Sequence, residues 1–161
     1  MDPVAASLIE RLELQPHPEG GYYRELFRST EEVTPDRHGL ARSALTTIYF
    51  LLVAGEHSHW HRLLSDEVWH FIDGAPLELF WIDSYLQSCD SRKLGAAAES
   101  QEPVASVPAG YWQAARTTGS YTLAGCTVGP GFDFADFALL RDMPQKAEKV
   151  AERFPDVTFL L

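Results

Sequence analysis

Gly55-Glu-His57-Ser-His59-Trp60-His61-Arg62-Leu63-Leu-Ser-Asp66-Glu67-Val-Trp69-His70-Phe71-Ile-Asp73-Gly74 is the densest polar cluster in the chain. Gly55 and Asp73-Gly74 punctuate it as turns, and the aromatic and β-branched residues between them read as strand. Successive side chains of a strand point to opposite faces, and in a closed barrel one face is the interior. His61 and Leu63 therefore share a face, as do Glu67, Trp69 and Phe71. A histidine and a carboxyl group are expected to project into an otherwise apolar barrel mouth.

Working outward, the segment 45–54 (LTTIYFLLVA) is apolar on both alternating faces, which predicts a strand covered on both sides and, with it, a homodimer. Tyr22, Tyr23 and Phe27, and the runs 77–82, 104–107, 120–128 and 134–140, predict further strands, with turns at 108–110 and 129–131. The polar, small-residue-rich stretch 83–101 reads as a mobile hairpin loop. Leu8, Ile9 and Leu12 at helical spacing predict an amphipathic helix over 4–14, and Asp142 is the expected cap of a second helix over 143–154. Many short strands with a helix at each end favour a small barrel or jelly roll in a single domain, 1–161.

Composition narrows the function. Thirteen Lys and Arg against 23 Asp and Glu give a net charge of −10, which opposes phosphate neutralisation along a nucleic acid and attraction to an anionic membrane. The N-terminal stretch has neither the basic flank nor the apolar run of a targeting or membrane segment, so a cytoplasmic location is expected. Cys89 and Cys126 lack a CxxC pattern and read as reduced, structural thiols.

The opening stretch also resembles the first signature of the cupin superfamily: Gly, five residues, HxH, three or four residues, Glu, six residues, Gly. Gly55, His61, Glu67 and Gly74 fall on that spacing, and Leu63 stands where the second histidine would be. Pro108-Ala-Gly110-Tyr-Trp-Gln113 is similar to the second signature, with Gln113 at the last metal-ligand histidine and Thr117 at the Asn. Blocks at 14–25 (LQPHPEGGYYRE), 107–116 (VPAGYWQAAR) and 125–134 (GCTVGPGFDF) further resemble one small cupin family of uncharacterised activity, of the cupin-5 type. The resemblance implies a mainly β fold, a double-stranded β-helix or RmlC-like jelly-roll barrel with short N- and C-terminal helices, commonly dimeric. It extends by fold to dTDP-4-dehydro-6-deoxyhexose epimerases, metal-free cupins with a histidine base, an assisting aspartate and a tyrosine acid. His61 lies where that base would be, and Asp133 or Asp136 could supply the aspartate. The epimerases' Arg-Gly pair is missing from 19–25, and no tyrosine here matches their acid.

Proton abstraction next to a ketone needs an imidazole near neutrality in a partly dry pocket, a carboxylate to orient it and a donor for the developing enolate. His61 and Glu67 are the candidate catalytic pair, and Arg24, Tyr49, Trp69, Gln113 and Asp133 the candidate substrate contacts. With Leu63 and Gln113 replacing two nitrogen donors, the expected protein is metal-free, uses no cofactor and binds a small polar molecule such as a sugar or nucleotide derivative. Two alternatives stay open. In a shifted register His59 and His61 form an HxH pair, so His59, His61, Glu67 and Gln113 would serve a metal-dependent oxygenase or isomerase. The other alternative is a binding module without turnover. Structural readings stand beside these: His57, His59 and His70 as solvated side chains, the four tryptophans as packing residues, and Glu19 with Arg24 as an edge-strand ion pair.

Overall fold

Alternation of apolar and polar residues builds two antiparallel sheets whose inner faces meet. The computed structural model describes residues 1–161. In chain order the elements are α1 (Pro3–Arg11), β1 (Gln15–Pro16), β2 (Tyr22–Arg28), β3 (Glu32–Val33), β4 (Arg42–Ser43), β5 (Thr46–Val53), β6 (His57–Arg62) and β7 (Asp66–Gly74). They continue as β8 (Leu77–Ile82), β9 (Cys89–Leu94), β10 (Val104–Val107), β11 (Trp112–Thr117), β12 (Tyr121–Gly129), β13 (Ala138–Leu139) and α2 (Pro144–Arg153). One main sheet has the order β1-β2-β5-β12-β7-β10 and the other β13-β6-β11-β8-β9, while β3 and β4 pair as a separate two-stranded sheet. This is a mainly β, jelly-roll arrangement.

Three apolar clusters hold it. Phe50, Leu52, Trp69, Leu79 and Ala124 pack between the sheets. Trp60, Ile82, Trp112 and Leu140 pack on the outside of the second sheet against Val150 and Leu160 of the C-terminal segment. Ala5 and Leu14 of the N-terminal region close over Leu51, Val53 and Leu123 on the outside of the first sheet. The doubly apolar character of β5 is thus met within the chain over half its length, by α1. No helix is long and apolar enough to cross a membrane.

Several elements differ from the sequence reading. Residues 89–94 of the expected loop form β9, an edge strand fully paired with β8. Its side chains are exposed except for Cys89 and Leu94, so it carries no apolar alternation to betray it. The expected strand 134–140 is mostly two 3-10 turns flanking the two-residue β13. The 112–117 segment, quoted only as a motif, is a central strand. Asp142 does not cap α2: Met143 occupies the cap position with no side-chain hydrogen bond. Cys89 and Cys126 are free thiols, as expected.

Candidate functional site

A cavity of about 320 Å³ opens between the sheets at the end of β2, β5, β6, β7 and β12, with His17, Glu19 and the turn at Phe132-Asp133-Phe134 completing its wall. Its depth is polar and its sides are aromatic. His61, Glu67 and Trp69 all line it, on the faces that alternation assigned them, and Leu63 lies beside them.

A bulge in β6 decides which histidines belong. Gln113 pairs with His61 and Ala115 with Ser58, so three steps of β6 oppose two of β11. Ser58 and His61 both turn inward as a result, although their odd spacing would separate them on a regular strand. His59 is thrown to the outside, with Nδ1 at 3.3 Å from the Leu160 carbonyl, and the His57 ring packs edge-on against Phe159 at 5.5 Å. The HxH pair on one face, required by the metal-dependent alternative, does not form.

Arg24 and Tyr49 also lie outside the cavity. They sit opposite each other across β2 and β5, on the face away from it, while their neighbours Tyr23, Glu25, Ile48 and Phe50 face in. Arg24 pairs with the exposed Glu13 at 3.0 Å rather than with Glu19. Asp133 lines the cavity, whereas Asp136 is held by Arg42 through two 2.7 Å hydrogen bonds. Trp60 and Trp112 are core residues.

Two residues that the sequence reading did not bring to the site, His17 and Glu19, are central to it. Gly20 and Gly21, both with positive φ, turn the chain so that Glu19 enters beside β6, and the His59 N–H donates to the Glu19 carbonyl at 2.8 Å. Glu19 is 5% exposed. Its Oε1 accepts from Ser58 Oγ at 2.8 Å, and its Oε2 lies 3.3 Å from both His17 Nδ1 and His61 Nε2.

The hydrogen bonds assign the protons. His61 Nδ1 is 2.9 Å from the His59 carbonyl, which can only accept, so Nδ1 carries the hydrogen and Nε2 the lone pair. His17 Nδ1 accepts from the Glu19 backbone N–H at 3.3 Å, so its lone pair lies there. Two imidazole lone pairs facing one carboxyl oxygen call for a proton on that oxygen. Burial accordingly pushes Glu19 up to about 8, against the pull of Ser58. His17 is driven down to about 3 by burial and by His61, and burial also lowers His61, opposed by Glu67 and the His59 carbonyl.

Glu67 has a different neighbourhood. The Trp69 indole donates to Gln113 Oε1 at 3.0 Å, which fixes the amide so that its NH2 donates to Glu67 Oε2. The buried Cys126 thiol lines the same cavity. Burial raises Glu67 to about 7, with Glu19 adding to the shift and His61 and Gln113 opposing it. The Cys126 thiol is raised well above its ordinary value by the same burial and stays protonated.

The residues at the cupin metal positions are a poor fit to an ion. Leu63 has no lone pair, the Gln113 oxygen is occupied by the Trp69 indole, and its other end is a donor. No three His, Cys, Asp or Glu side chains are placed to hold a metal ion.

The sequence of residues 6–140 matches the family model described as Cupin superfamily (DUF985). The chain belongs to that family. A hypothetical protein from Leishmania major is 34% identical, with 96% of this chain and 94% of that chain covered and a TM-score of 0.83. A protein from Shewanella oneidensis is also 34% identical, with 98% and 96% covered and a TM-score of 0.82. Oxalate decarboxylase from Bacillus subtilis shares the fold at 16% identity and a TM-score of 0.59, over 91% of this chain and 36% of the enzyme. No curated protein matches the sequence. This DUF985 cupin thus has the jelly-roll fold, with Leu63 and Gln113 at two signature histidine positions and Gln113 hydrogen-bonded between Glu67 and Trp69.

Proposed function

We propose that this cupin binds a small carbonyl-bearing molecule and moves a proton on it, as an epimerase or isomerase does, without a metal. The observation that carries the reading is the Glu19–His61 pair, 3.3 Å apart on the cavity wall and nearly removed from solvent. His61 presents an unprotonated Nε2, and Glu19 holds a proton near neutral pH. A base and an acid side by side allow a C–H proton to leave toward the imidazole while the carboxyl group donates to the neighbouring oxygen. Glu67 faces the imidazolium that would form and stabilises it.

Charge narrows the ligand within this reading. Arg28 is the one Lys or Arg lining the cavity, and Glu25 holds it through two hydrogen bonds of 3.0 and 2.8 Å. A diphosphate would enter with no free counter-charge, so a non-phosphorylated sugar or keto compound suits the site better than a nucleotide sugar.

The test is solvent-deuterium incorporation, followed by NMR, into a panel of small ketoses and keto acids identified by thermal shift. Wild-type protein is expected to exchange the carbon-bound proton next to the carbonyl. His61→Ala should lose about 100-fold of that rate, in line with the usual contribution of a general base. His70→Ala, on the outer side of β7, should retain it. A bound ligand that shows no exchange, or exchange that survives His61→Ala, would make the protein a binding module or move the base elsewhere.

A further inference from the structure

The carboxyl groups lining the cavity outnumber its cationic side chains. Glu19, Glu25, Glu67 and Asp133 face a single guanidinium, Arg28. Arg28 spends Nε and Nη2 on Glu25 and shares Nη2 with the Phe132 carbonyl at 3.0 Å, so these two side chains cancel each other. His17 and His61 are buried neutral rings, and Cys126 is a buried thiol. Glu19 and Glu67, only 5% and 6% exposed, are left with no Lys or Arg partner. Buried carboxyl groups are ordinarily paired, because an isolated ion is costly to desolvate.

Much of the remaining wall is aromatic. Tyr23, Phe50, Trp69, Phe132 and Phe134 all line the cavity. The face of each ring carries negative quadrupole charge, which attracts a cation, and the attraction strengthens where water is excluded. Buried carboxyl groups and aromatic rings lining one cavity are complementary to a positive charge spread over an apolar surface. No three His, Cys, Asp or Glu side chains here are placed to hold a bare metal ion.

We propose that the cavity is selective for a small organic cation: a protonated amine, a guanidinium or a quaternary ammonium group, held between Glu19 and Glu67 and the aromatic wall. This names the charge class of the ligand and rests on the proton-transfer reading only for the carbonyl that the same ligand would carry. Binding such a cation lets Glu67 ionise first, so a proton leaves the protein as the ligand enters, while near neutral pH Glu19 keeps the proton it needs as the acid. Phosphorylated and carboxylated compounds are disfavoured by the same charges.

The experiment compares molecules of one shape and different charge. Choline is matched with its neutral isostere 3,3-dimethylbutanol, and benzylammonium with benzyl alcohol and benzoate, by calorimetry at about pH 8.5, where both acids tend to ionise. Each cation is expected to bind at least about tenfold more tightly than its neutral isostere, with benzoate weakest. Glu67→Gln and Glu19→Gln should each remove most of that preference, whereas Glu10→Gln on the exposed helix should not. The wild-type series alone is decisive if a variant fails to fold. Equal or tighter binding of the neutral or anionic member overturns the proposal, and so does failure of both cations to bind the folded protein. Deuterium exchange on an uncharged ketone at about pH 7, where Glu19 keeps its proton, would leave the proton-transfer reading intact while this inference fails.

Discussion

Gln113 shows how one residue can change the groups that a barrel interior offers. Where a histidine would offer a lone pair, the amide is clamped by the Trp69 indole and offers N–H to Glu67. It is 1% exposed, so neither of its partners can turn to water if it is lost. Gln113→Ala is expected to destabilise the fold by roughly 2–4 kcal/mol, the cost of leaving an indole N–H and a carboxyl group unsatisfied. Urea denaturation measures this, and a loss below about 1 kcal/mol would mean that water takes over both bonds. At this scale the sequence was informative wherever a residue sat on a regular strand: His61, Glu67 and Trp69 could be placed in the interior by alternation. It was silent on His17 and Glu19. Nothing in a loop sequence states which strand it will lean against, and the Gly20-Gly21 doublet was the only local sign of a tight approach.

The elements responsible are the bulged β6 and the glycine turn that feeds Glu19 to it. Alternation predicts that His57, His59 and His61 share a face, and one extra residue in β6 undoes that, sending His59 to the C-terminal segment and Ser58 inward. Bulges leave no reliable mark in sequence, so pattern alone could not decide which side of β6 His59 takes. β9 escaped for the opposite reason: a polar edge strand looks like a loop. Gly20 can be tested directly. It has φ +106°, and a Cβ there would lie 2.1 Å from the His57 carbonyl oxygen, which belongs to a paired strand and cannot move cheaply. Gly20→Ala should therefore cost about 2–4 kcal/mol, combining left-handed backbone strain with displacement of β6. Because Glu19 is the next residue, any folded fraction should also lose ligand binding and exchange activity together. By contrast Gly110, also at positive φ but with open space around its Cβ, should cost only the backbone strain, about 1 kcal/mol when replaced by Ala. Comparison of the two midpoints separates contact from conformation.

At the level of the whole molecule, the site's protons make stability depend on pH in a direction opposite to that of most acid-rich proteins. Glu67 and Glu19 are raised to about 7 and about 8, above their ordinary 4.5. Between those values the folded chain holds protons that the unfolded chain has released, so stability falls as pH rises through this interval. The stabilising contribution is complete below about 4.5 and gone above the folded values. His17 works in the other sense: lowered from 6.5 to about 3, it contributes stability above 6.5 that is lost as pH falls toward 3. His61 shifts in the same direction, and Asp136, held low by Arg42, adds to the acid-side loss. The melting temperature is therefore expected to peak near about pH 6 and to drop by about 5 °C or more by pH 8.5, even though the surface charge changes little over that range. Glu67→Gln should flatten the alkaline decline, since its amide has no proton to lose. The same variant leaves the His17 and Asp136 contributions on the acid side untouched, so the two limbs should separate in one set of melts. A curve that rises or stays level from pH 6 to 8.5 would mean that both carboxyl groups are ionised in the empty barrel, and that the acid required of Glu19 is absent.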